Sequence, residues 1–196
     1  MLTQQLAREY DSMKKITVKQ LAFIGIMAAL VYATSAYVQI PIPTAIGSTR
    51  LHVGNVMCLL SGFLLGSIPG GLAAGIGSMF FDLTNPAYIT SAPFTFAFKF
   101  LMAWVCGMIA GKSEPPKTWR CILGAVVGAV SYVILYLGKS FIEDYFVLGL
   151  PAEAVLLTVV QKGLVSTVNG IIAAAVSVPL FLTLRPLLKR ANLLTK

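Results

Sequence analysis

The sequence predicts an all-α integral membrane protein with six transmembrane helices, and three observations carry that reading. Hydrophobic residues make up 57% of the 196 positions and charged ones only 11%, against about 25% charged in an ordinary soluble domain. Apolar runs recur along the chain, several near the roughly 20 residues needed to cross the hydrocarbon core. Eleven of the fifteen Lys and Arg residues gather in three places that share one side of a membrane only if the spans number six. The formal charge of +8 is therefore read as membrane orientation, not as a nucleic-acid surface.

Residues 1–19 are expected to be a cytoplasmic lead-in, with Arg8, Lys14, Lys15 and Lys19. Met13-Lys14-Lys15 before an apolar run resembles the start of a signal peptide, but the run is too long and no small-x-small site closes it. Span 1 is expected over 21–40. Spans 2 and 3, over 51–66 and 70–83, form one nearly uncharged stretch broken at Ser67-Ile68-Pro69-Gly70-Gly71, a composition that suits a tight turn between helices. Span 4 is expected over 93–110. Span 5 covers 121–137 and extends towards Phe146; span 6 covers 155–184. Lys112, Lys117 and Arg120 lie between spans 4 and 5, and Arg185, Lys189, Arg190 and Lys196 fall in a basic tail over 185–196. The positive-inside rule makes these segments cytoplasmic, so the topology is N-in, C-in. The whole chain, 1–196, reads as a single transmembrane domain.

No connection is long enough to fold as an ATP-binding domain. The run G-M-I-A-G-K-S at 107–113 ends like a phosphate-binding loop, but Cys106 stands where that motif needs glycine and a membrane span replaces the preceding strand. It reads as a helix end. The cysteines Cys58, Cys106 and Cys121 form no paired motif and are expected to pack as small hydrophobes. Small residues four apart recur at Gly25/Ala29/Ala33, Gly62/Gly66, Gly71/Gly75 and Gly124/Gly128. Such ridges let helices approach closely. The last three suit packing within the chain, while that of span 1 could face a partner protein.

The polar residues within or beside the spans are the informative ones. Lys99 lies about 9 Å into span 4 at 1.5 Å per residue, and Lys139 and Lys162 fall at similar depths in spans 5 and 6. Arg50, His52 and Asn55 stand at the outer mouth of span 2, Asp82 at the outer end of span 3, and Asn169 two turns below Lys162. A charge facing lipid at depth costs roughly 2.5–3.5 kcal/mol on insertion scales, and intramembrane charges usually face the bundle interior. Lys99 and Lys162 therefore predict a polar cavity, whereas Lys139, nearest the interface, reads equally as lining that cavity or as snorkelling to headgroups or pairing with an acid such as Glu143. His52, the only histidine, suits hydrogen bonding better than metal ligation, since no ligand cluster accompanies it. Basic groups at one depth repel unless negative charge offsets them. A carboxylate-bearing ligand would do so through charge-assisted hydrogen bonds.

The stretch R-L-H-V-G-N-V-M-C-L-L-S-G-F-L-L-G from Arg50, then G-G-L-A-A-G-I-G-S-M-F-F-D-L and A-P-F-T-F-A-F-K, resembles the membrane-embedded substrate-binding (S) components of bacterial energy-coupling factor (ECF) vitamin transporters. The likeness is densest over 50–111. It implies a six-helix fold, a vitamin site near the extracellular side closed by the 1/2, 3/4 and 5/6 loops, and no enzymatic activity. It implies no cofactor in this chain. The partners it implies are a transmembrane coupling (T) protein and two cytoplasmic ATPases that hydrolyse ATP. The family's alanine-x-x-x-alanine motif, which contacts the coupling protein, is matched by Ala29 and Ala33, with Gly25 extending the ridge. The resemblance also implies a multi-pass protein of the bacterial cell membrane.

Family members bind different vitamins, and the basic excess favours an anionic one. Pantothenate is the first choice, with Lys99 and Lys162 as carboxylate partners. Arg50, His52, Asn55, Asp82, Lys139 and Asn169 are further candidates. Biotin, nicotinate, lipoate and folate are other anionic choices, while riboflavin, pyridoxine and hydroxymethylpyrimidine give the lysines less to do. From other classes, an integral membrane enzyme acting on an anionic lipid would need clustered acids or histidines, and a channel a ring of like residues. The sequence offers neither.

Overall fold

The computed structural model describes residues 17–111 and 116–190. Arg8, Lys14, Lys15, Lys112, Lys196, most of the lead-in and the end of the basic tail lie outside them. Among the described residues the chain forms six α-helices: α1 (Val18–Tyr37), α2 (Gly54–Leu65), α3 (Ser67–Thr84), α4 (Ala92–Ala110), α5 (Thr118–Ile142) and α6 (Ala152–Arg190). Four of them, α1, α4, α5 and α6, are long and apolar enough to cross a membrane by themselves. The expected span over 51–66 is shorter than predicted. Its helix has 12 residues, about 18 Å of rise, because residues 51 and 52 belong to a β-hairpin.

That hairpin is the element an all-α reading omits. β1 (Gln39–Pro43) pairs antiparallel with β2 (Ser48–His52), in a register that sets Pro41 opposite Arg50 and Gln39 opposite His52. Pro41 and Pro43 disguise it, since proline removes a ladder donor. In a two-stranded ribbon every second N–H points away from the partner strand. Prolines two apart can share that outward side.

Each helix has a local cause. Thr17 opens α1 with a capping box, its hydroxyl accepting from Gln20 N while the Gln20 side chain accepts from Thr17 N, which satisfies two otherwise orphaned donors. The turn between α2 and α3 is one residue, Gly66, at φ +87°. The break is therefore tighter than the expected five-residue one, and Gly66 serves as a turn and not as part of a ridge. Pro69 sits in the first turn of α3, where its missing N–H leaves no helical bond unmade. Gly111, also at positive φ, closes α4, so the phosphate-loop-like run is a helix end as expected; its Lys112 and Ser113 lie outside the described residues. Arg120 at the start of α5 donates from Nε to the Ile109 carbonyl, 2.9 Å away, filling one of the acceptors that a helix end leaves open. The last turn of α5 widens into a π-helical turn over Glu143–Val147.

Small residues let these helices meet at backbone distance. A Cβ on Gly62 would lie 2.4 Å from the Ala103 carbonyl oxygen of α4. Gly71 and Gly75 receive the Phe100 and Phe96 rings of α4, and Gly124 and Gly128 meet the backbone of the same helix at Cys106 and Met102. In lipid, where apolar side chains gain little by leaving their surroundings, such close packing is a main source of helix association. The three cysteines are free and buried, as small hydrophobes. The α1 ridge differs. Ile24, Met27, Ala28 and Val31 face the bundle, whereas Gly25 and Ala29 point outward and Ala33 is half-buried.

Candidate functional site

The hairpin, the α3–α4 connection and the outer ends of α4, α5 and α6 enclose a cavity of about 360 Å³. Seven of the eight site residues expected from the sequence line it: Arg50, His52, Asp82, Lys99, Lys139, Lys162 and Asn169. The eighth, Asn55, stands directly behind Lys99 and accepts a hydrogen bond from its ammonium.

The L-H-V-G-N run builds the floor. His52 ends β2, and its Nδ1 accepts from Gly54 N at 3.2 Å, so that nitrogen carries no proton. Gly54 brings α2 against α1 so closely that a Cβ would lie 2.2 Å from Ser35 Oγ. Asn55, on the first turn of α2 and buried, then reaches Lys99 on α4. The Lys99 side chain is 3% exposed, and its Nζ lies 3.5 Å from the Tyr132 ring centroid of α5. A ring face attracts a cation but does not neutralise it. Among the described residues no carboxylate comes within 4.0 Å of Lys99, so the cavity's excess positive charge falls on this one group.

The other cations have partners. Arg50 is held between the Phe81 and Tyr88 rings, 4.2 Å from each centroid, with Nη2 3.6 Å from Asp82 Oδ1 and Nη1 donating to Gln39 Oε1 at 3.3 Å. Asp82 Oδ1, buried beside the cavity, makes no hydrogen bond among the described residues. Lys139 pairs with Glu143 one turn on and donates to Ser91 Oγ at 2.9 Å. Lys139 therefore lines the cavity and pairs with an acid at once. Lys162 donates to Ser140 Oγ at 2.7 Å and stands 3.5 Å from Asp144 Oδ2. Ser140 in turn donates to that carboxylate oxygen at 3.1 Å. The sequence left Lys162 without a carboxylate because Asp144 is on another helix.

Asn169 has a different occupation. Its Oδ1 accepts from His52 N at 2.9 Å and its Nδ2 donates to the Arg50 carbonyl at 2.7 Å. Both ends of the amide hold β2, and with it Arg50 and His52, against α6. The hairpin tip is held too, where Ala45 N donates to Gln161 Oε1 at 2.8 Å. Sequence reasoning also passed over Tyr132 and Tyr136, stacked with centroids 5.8 Å apart on the cavity side of α5. Their four-residue spacing marks one helix face and was the available signal.

In all, four basic side chains face three carboxylates across the cavity. With His52 neutral, one positive charge is left over, centred on Lys99 and walled by aromatic rings. No group of three or more His, Cys, Asp or Glu residues that could hold a metal occurs among the described residues.

Residues 15–186 match the family model described as ECF-type riboflavin transporter, S component. A solved structure of the S component of a bacterial ECF transporter aligns over 87% of this chain and 98% of its own, at a TM-score of 0.58 and 23% identity; at that identity it speaks for the fold. An uncharacterised protein of Pyrococcus woesei is 32% identical over 114 residues, 57% of this chain and 72% of the relative. The chain therefore belongs to the S components of ECF-type transporters, membrane-embedded substrate-binding subunits that are not enzymes, carry no cofactor and rely on partner subunits for ATP hydrolysis.

Proposed function

We propose that this chain captures a compact, singly anionic vitamin from the outside of a bacterial cell membrane, pantothenate being the first candidate. The observation that carries the reading is Lys99, a buried ammonium at the cavity wall with Asn55 and a ring face for company and, among the described residues, no carboxylate within 4.0 Å. A carboxylate placed there gains a charge-assisted hydrogen bond in a low-dielectric site and brings the lining to neutrality. Asp82 Oδ1, which makes no hydrogen bond among the described residues although Arg50 Nη2 stands 3.6 Å away, suits a ligand hydroxyl or amide N–H. Lys162 keeps its expected role as a carboxylate partner only in a weaker form, since its pairing with Asp144 leaves it to complement the ligand and not to neutralise it. Asn169 acts by holding β2.

The coupling protein docks on the Gly25/Ala29/Ala33 ridge of α1, whose Gly25 and Ala29 point outward and where a Cβ on Gly25 would meet nothing within 4 Å, and two cytoplasmic ATPases complete the importer. A second reading, riboflavin, is favoured by the family's description and by the aromatic walls, which suit a flat ring. Equilibrium binding to the purified chain in detergent separates the two. Labelled pantothenate that binds tightly and is displaced by no other vitamin supports the anionic site. Tight binding of riboflavin without pantothenate replaces that ligand and removes the role given to Lys99.

A further inference from the structure

Behind the polar cavity lies a second one of about 660 Å³, a groove between the outer halves of α4 and α5. Its lining is almost wholly apolar, and Phe94, Ile134, Ile142 and Val147 are exposed towards lipid. Gly138 of α5 lines it, and a Cβ at that position would meet nothing within 4 Å. Phe94, Phe98, Lys139 and Glu143 border both cavities, so they form the partition between them.

Depth and charge identify an occupant. Counted from Thr118 on the basic side, Lys139 lies about 32 Å along α5 at 1.5 Å per residue, against a hydrocarbon core of about 30 Å. The groove's apolar length therefore falls in the hydrocarbon of the leaflet on the cavity's side, and its rim falls at headgroup level. That rim carries one charge of each sign. Of the three donors on an ammonium, Lys139 directs two to Ser91 and Glu143, leaving one. Glu143 uses Oε2 for that pair, and its side chain is 41% exposed, leaving Oε1 to accept.

We propose that the groove is a binding site for one phospholipid with a zwitterionic, primary-amine headgroup, of the phosphatidylethanolamine type. One acyl chain lies over Gly138 against Phe94 and Phe98, the phosphate meets Lys139, and the headgroup ammonium meets Glu143. The lipid would back the partition of the polar cavity from its membrane side. This site goes beyond the vitamin reading and does not depend on which vitamin is bound.

The test is native mass spectrometry of the full chain, delipidated in mild detergent without any vitamin and titrated with dioleoyl lipids. Dioleoylphosphatidylethanolamine should be retained as a single adduct several-fold better than phosphatidylcholine, whose quaternary amine has no N–H for Glu143, or phosphatidylglycerol, which has no cation. Gly138→Leu should abolish the adduct by filling the groove. Should that variant fold poorly, Ile134→Trp fills the groove from an exposed position and carries the same expectation. Glu143→Gln should remove the preference for the amine headgroup. Equal retention of the three lipids, or an ethanolamine adduct that survives a folded groove-filling variant, would overturn the site. Because the measurement contains no vitamin, its failure leaves the vitamin reading intact.

Discussion

Replacing Lys99 with methionine leaves an unbranched apolar side chain one heavy atom shorter and removes the charge and the donors. Hydrogen bonds to charged groups contribute about 1.5–3 kcal/mol, which is roughly 10- to 150-fold in affinity at 1.4 kcal/mol per tenfold. Pantothenate binding to Lys99→Met should weaken by that factor. Pantothenol, in which a hydroxymethyl group replaces the carboxylate, should be affected much less. Stability responds to two opposed effects. The buried, unneutralised ammonium disappears, which stabilises, but Asn55 Oδ1 loses its donor, and an orphaned buried acceptor costs about 1–3 kcal/mol. The double variant Lys99→Met, Asn55→Leu removes that orphan and should recover thermal stability without recovering affinity. Calorimetric titration of both ligands into each folded variant is the assay. An equal loss for the acid and the alcohol would mean that Lys99 shapes the cavity without reading charge, and an unchanged pantothenate affinity would refute the assignment outright.

Asn169→Leu should destabilise the protein by about 2 kcal/mol, because two part-buried backbone groups lose their partners at about 1 kcal/mol each; thermal unfolding with and without ligand reads it, and a neutral effect would show β2 held by other means. Gly62→Leu should prevent folding, since even its Cβ would overlap the Ala103 carbonyl, and a monodisperse, ligand-binding variant would contradict the packing. Ala29→Leu with Ala33→Leu should leave isolated ligand binding unchanged while impairing co-purification with the coupling protein. Normal assembly of that pair would give the outward ridge another role.

Much of this molecule was legible in order along the chain. The helices follow from apolar runs and the small-residue ridges from spacing, while the residues that set helix ends, Thr17, Gly66 and Gly111, were local signals that the reading passed over. These are local causes, acting over one or two turns. The charged residues were equally visible, because Lys99, Lys139 and Lys162 stand out against any apolar background. What lay beyond reach was pairing between helices. Lys162 finds Asp144 and Ser140 across a helix interface, so only helix packing shows that it is matched.

The hairpin was hidden for a similar reason. Pro41 and Pro43 argue against a strand locally, and only pairing with 48–52 and the two hydrogen bonds to Asn169, 117 and 119 residues away, make one. By itself the sequence determined the solvent, the helices and the chemical types of the site residues, since burial in lipid is a property of each segment. The tertiary structure decided which cations remain unmatched and which side chains hold others in place. Charge balance and hydrogen-bond satisfaction belong to neighbours in space, and neighbours in space are what packing chooses.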